Sequence, residues 1–171
     1  MSIYKHYMVD EEWHEDHENY SVKVAIAALR KSLLLPAAVK KALKNGESPL
    51  AISIEKWQRI SNILAESSRL STIVALEPFI GASTCGLCIQ SIATYKAEKG
   101  ELTDNMSKCE VCPLARIEKC PEEKSVYSQI DNIVSYAKNV PQFFADEADA
   151  YDQIKPLVTK MLKYLYSLQS A

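Results

Sequence analysis

Five cysteines fall between positions 85 and 120, at Cys85, Cys88, Cys109, Cys112 and Cys120. They read C-x2-C, twenty residues, C-x2-C, seven residues, C. A thiolate is a metal ligand, and a C-x2-C hook presents two of them to one point. Two hooks separated by about twenty residues have the spacing of a tetrahedral zinc site with four thiolates. Cys85, Cys88, Cys109 and Cys112 are the expected ligands of a zinc ion, with Cys120 beside the site as an alternative ligand.

The neighbouring residues suit that chemistry. Cys85 and Cys88 open a segment with helical character, where free N–H groups and the helix dipole favour thiolate over thiol. Lys108, Arg116 and Lys119 lie close in sequence to the second hook and offset the charge of several thiolates. The stretch 101–121 holds few large apolar residues, so a metal crosslink would supply the order that a small core cannot. An iron–sulfur cluster is the alternative cofactor. Cys112 and Cys120 are each followed by proline, a pairing familiar from ferredoxin-like runs, and Cys120 would then displace one of the four ligands. The pattern from Cys85 to Cys120 is similar to cysteine-rich segments of small phage and archaeal proteins of unassigned function, a resemblance that implies metal binding and no activity.

Cys85-Gly86-Leu87-Cys88 also permits a redox dithiol. The stretch "TIVALEPFIGASTCGLCIQSIATYKAEKG" superficially resembles the strand–CGxC–helix of thioredoxin-like proteins, in which the first thiolate attacks a disulfide and the second resolves it. "NVPQFF" at 139–144 could imitate that family's proline-bearing strand. The departures are Thr84 in place of the usual preceding aromatic residue, a second Cys pair, and no preceding βαβ unit.

Other sites are thinner. "DEEWHEDHE" at 10–18 places His14 and His17 at i, i+3 among carboxylates, yet matching carboxylate–histidine elements for a di-iron bundle are missing. Residues 23–44 carry Arg30, Lys31, Lys40, Lys41 and Lys44 with no acid among them. These could face nucleic acid as a helix–turn–helix-like module, or simply form the solvated sides of amphipathic helices. A net charge of −2 argues against coating nucleic acid by bulk charge. The three histidines all precede residue 18, and no Gly-rich phosphate loop occurs, which leaves little for ordinary acid–base catalysis.

The elements that position the cysteines are read as helices. Val22, Ile26, Leu29 and Leu33 recur at helical spacing, and "PAAVKKALKN" follows from Pro36 to a stop at Gly46. From Ser48-Pro49, the residues Trp57, Ile60, Leu64, Ser67, Leu70 and Val74 trace one face of a long helix expected to end before Pro78. Further helices are expected from Cys85 to Lys99, from Val126 to Ala137, and through Ile154 to Leu168, with Pro156 at the start of the last or kinking it. The expected fold is all-α: an irregular bundle of about five helices in one domain over 1–171, with an acidic leader at 1–20 and the cysteine-rich loop inserted near the middle.

At 171 residues the chain can bury a sizeable core without staples. No stretch approaches the roughly 18 apolar residues of a membrane span, and the acidic N-terminus lacks a signal-peptide core, so a cytoplasmic location is expected. Together these features favour a non-enzymatic binding or adaptor protein stapled by metal, its partner a protein, a second copy or nucleic acid. The alternative is an iron–sulfur or dithiol redox protein.

Overall fold

In the computed structural model, the backbone is described for residues 11–170 and the side chains for residues 21–170. The chain is all-α, with eight α-helices joined by short 3₁₀ turns and no strand among the described residues. The helices are α1 (Glu11–Ser32), α2 (Pro36–Lys44), α3 (Pro49–Glu66), α4 (Leu70–Ala75), α5 (Glu77–Ile80), α6 (Gly86–Lys99), α7 (Val126–Asn139) and α8 (Glu147–Gln169). No described helix is long and apolar enough to cross a membrane.

Helix starts follow local chemistry. The Ser48 hydroxyl accepts from the Ala51 N–H at 3.2 Å with Pro49 in the first turn, Ser125 accepts from Ser128 N–H at 2.9 Å, and Asp146 accepts from Asp149 N–H at 2.7 Å. Each satisfies a backbone donor that the first turn would otherwise leave unpaired. Gly100, at φ 93°, ends α6 in a conformation that side chains rarely adopt. The centre of the molecule is α3, which packs against α8 on one side and α6 on the other, while α7 packs against α8 and α4. Ile60 and Leu64 of α3 meet a core that includes Ile130 and Val134 of α7 and Ile154, Met161 and Leu165 of α8, all essentially inaccessible to water. α1 lies on α4 and buries Leu29, and Leu33, just past its end, is buried as well.

Three expectations need correcting. The long helix expected to run from Ser48 to Pro78 breaks at Ser67, whose backbone is extended (φ −115°, ψ 157°). The serine hydroxyl accepts from the Arg69 N–H and donates to Thr72 Oγ1, an alternative to helical pairing that serine offers readily. Pro78, expected to lie beyond the helix, sits inside the four-residue α5, where its missing N–H costs nothing. Pro156 lies well within α8, on the exposed side, so water can serve the carbonyl whose helical donor the proline lacks. Of the acidic leader, 1–10 lies outside the described residues, 11–20 continues the backbone of α1, and the side chains of His14 and His17 are not described.

Candidate metal centre

The five cysteines come from separate local structures. Cys85 is the residue capping α6 (φ −101°, ψ 114°), and Cys88 sits in its first turn. Cys109 lies in a 3₁₀ turn (Ser107–Glu110) packed on α6, and Cys112 starts another (Pro113–Arg116) that touches α8. Cys120 precedes α7, and its carbonyl accepts hydrogen bonds from the hydroxyls of Ser125 (2.6 Å) and Ser128 (3.2 Å). All five are free thiols, Cys109 buried and the others half-buried.

Local packing fixes the first hook. Gly86 is required by close approach: a Cβ there would stand 2.5 Å from the Pro49 carbonyl oxygen and 3.0 Å from Ile52 Cβ. The start of α6 is thereby pressed against the start of α3. Ser53, fully buried on α3, accepts from the Leu87 N–H at 3.0 Å and lies 3.5 Å from Cys85 Sγ. Thr84 closes the turn before Cys85 by donating to the Phe79 carbonyl at 2.6 Å.

The loop is ordered by polar contacts and one apolar anchor. Asp104 Oδ1 accepts from the N–H groups of Met106 (2.7 Å) and Ser107 (2.8 Å), Glu118 accepts from the Val126 N–H at 2.7 Å, and Leu114 is buried in the core. Pro113–Arg116 forms a 3₁₀ turn within the loop.

All five cysteines line one cavity of about 200 Å³, walled on its inner side by Ser53, Lys56 and Trp57 of α3. Among the described residues no three Cys, His, Asp or Glu side chains gather closely enough to hold one ion as they stand. Comparison with family models, with curated proteins and with solved structures finds no match. The cavity's chemistry therefore has to be read from its own residues.

That chemistry is electrostatically coupled. A hydrogen bond from the Cys88 thiol holds Cys85 well below the ordinary thiol range, helped by the Lys56 charge and Ser53, while the same bond pushes Cys88 up. Burial pushes Cys120 up to about 12 and raises Cys109 as well. Tyr127, also on the cavity wall, is pushed by burial up to about 12. Cys88 feels the charges of Cys85, Cys120 and Cys112, and Cys120 those of Cys85, Cys112 and Cys109.

Lys56 was not singled out by sequence reasoning. It is 3% exposed, and its ammonium donates to the carbonyls of Ile80 (2.7 Å) and Gly81 (2.8 Å). Burial lowers its proton affinity, opposed by the facing Cys85, Cys88 and Cys120. Its signal was available: Lys56 falls four residues before Ile60, on the apolar stripe of α3, where a lysine has no solvated role.

Arg30 and Lys31 lie in the last turn of α1, and Lys40, Lys41 and Lys44 on α2, all exposed. Cations in a last turn favourably meet the helix dipole, which accounts for Arg30, Lys31, Lys41 and Lys44 without a ligand. With no strand among the described residues, the thioredoxin-like resemblance does not extend to the fold.

Proposed function

We propose that the chain is an iron–sulfur protein, its cluster seated in the cavity behind α3 and held by Cys85, Cys88, Cys112 and Cys120. The observation that carries this reading is that all five cysteines line one space of about 200 Å³. A single zinc ion draws its thiolates to about 2.3 Å, which closes such a space to a point. A cluster keeps its ligands apart around an inorganic core and needs the room. Cys112 and Cys120 each precede a proline, as ligands in ferredoxin-like runs do, and both line the cavity with Cys85 and Cys88, whereas no proline follows Cys109. Cys109 is then the fifth, unligated cysteine.

In this role the centre has two effects. It ties the turns at Ser107–Glu110 and Pro113–Arg116 to α6 and α7, and its one-electron chemistry sits beside half-buried ligands, within reach of a partner's surface.

The second reading is a single structural zinc ion on Cys85, Cys88, Cys109 and Cys112, favoured by the spacing of the two hooks. It belongs to a non-enzymatic adaptor whose metal shapes a surface for a protein or nucleic-acid partner. Anaerobic purification followed by iron, sulfide and zinc analysis separates the two. The cluster reading expects a brown protein with iron and acid-labile sulfide in equal amounts. Colourless protein with one zinc per chain would overturn it in favour of the second reading.

A further inference from the structure

Lys56 donates two of its three N–H groups to the carbonyls of Ile80 and Gly81, at 2.7 and 2.8 Å. Those carbonyls lie at the end of α5, where Gly81 also accepts from the Thr84 N–H and hydroxyl, so the lysine helps to close that end of the helix. This explains two of its bonds and leaves the charge unexplained. A buried ammonium surrounded by Trp57 and Ile80 is costly unless an anion answers it. The charged and titratable groups on the cavity wall are the five cysteines, Lys108, Glu118 and Tyr127. Glu118 is committed to the Val126 N–H. Of the wall groups, Cys85, Cys88 and Cys120 are the ones that act most strongly on Lys56 when they are ionised or bound as thiolates.

Resting on the cluster reading, we propose that Lys56 is a positioning residue of the centre, its third N–H given to a sulfur of the bound cluster. A fixed positive charge beside the cluster stabilises the reduced, more negative state relative to the oxidised one. A hydrogen bond to sulfur acts in the same direction. Lys56 thus raises the reduction potential, and it does so from the rigid central helix instead of from the loop that carries the ligands.

The test uses the full chain purified anaerobically and reduced with dithionite. In protein labelled with 15N-lysine, pulsed electron paramagnetic resonance is expected to show coupling between the reduced cluster and a lysine nitrogen. Lys108→Gln is expected to keep that coupling, since Lys108 is only half-buried at the rim, whereas Lys56→Met abolishes it. The same Lys56→Met variant is expected to bind its cluster at a more negative midpoint potential, with Lys56→Arg returning part of the shift. Wild-type protein that holds a cluster but shows no lysine coupling overturns the Lys56 assignment alone, a result that needs no variant to fold. Wild-type protein without iron and sulfide overturns the cluster reading, and this assignment with it.

Discussion

The carboxylate of Glu147, at the start of α8, accepts a hydrogen bond from the backbone N–H of Leu70, the first residue of α4, 77 positions earlier. Arg69, the residue preceding α4, makes no side-chain cap of its own, so the cap is supplied from another helix. The Tyr151 hydroxyl, one turn further along α8, lies 2.9 Å from both Ser67 Oγ and the Arg69 carbonyl. The break between α3 and α4 is therefore a docking point for α8. Glu147→Ala should cost about 1–2 kcal/mol, the range for losing a helix cap or a charge-assisted hydrogen bond. Urea unfolding checks this, and a loss below a few tenths of a kcal/mol would show that the cap is dispensable.

Gly86 makes a second, sharper prediction. Adding one methyl group there meets the Pro49 backbone oxygen at 2.5 Å, and backbone cannot step aside as a flexible side chain can. Gly86→Ala should destabilise the fold by roughly 1–3 kcal/mol, the usual cost of overpacking. It should also shift Cys85 and Cys88 together, because both hang on the first turn of α6. The paired readout is unfolding by denaturant and metal content of the variant. Unchanged values in both would mean that α6 is not seated against α3 as described.

The contrast between these two positions shows what was legible in the sequence. Periodicity and local signals such as Ser48-Pro49 act within a few residues, and helices α3, α6, α7 and α8 could be placed from them. The break at Ser67 was not legible, because the apolar spacing of Ile60, Leu64, Leu70 and Val74 continues across it and the groups that hold it open come from α8. The cysteines were legible as a group through their spacing. What lies behind them was not. Lys56 and Ser53 reach the cavity from α3, more than thirty residues upstream of Cys88, and only tertiary packing brings them there. Gly86, inside the first hook, proves to be a contact glycine.

Asp104 gives a pH-dependent prediction. The Met106 and Ser107 N–H groups hold its carboxyl below the ordinary value of 3.8. A depressed carboxyl stabilises the folded loop above its unfolded value, and that contribution is lost as pH falls through the lower, folded value. The turn that presents Cys109 should thus loosen only in acid below 3.8. Nuclear magnetic resonance titration should give an Asp104 midpoint under 3.8, with the Met106 and Ser107 amides moving along with it. A midpoint at or above that value, or amides that do not follow, would contradict the geometry.

Serine substitution at two cysteines tests the ligand set directly. Cys120 lines the cavity just before α7, answers to Cys85, Cys112 and Cys109, and belongs to the proposed quartet. Cys109 is more deeply shielded from water, and its electrostatic neighbours are Lys108, Cys112, Lys119 and Glu122. Under the cluster reading, Cys120→Ser should lose most of the bound iron, and Cys109→Ser should keep it with little change in stability. Under the single-zinc reading the order reverses, because the spacing assigns Cys109 to the ion and leaves Cys120 beside it. Metal retained per chain in the two variants, measured side by side, decides between them. Thermal unfolding of the same samples adds a second scale, since metal held by the folded state but not the unfolded one contributes directly to stability. The variant that loses its metal should unfold at the lower temperature, and amide exchange should rise first between residues 101 and 121, where the crosslink is expected to act.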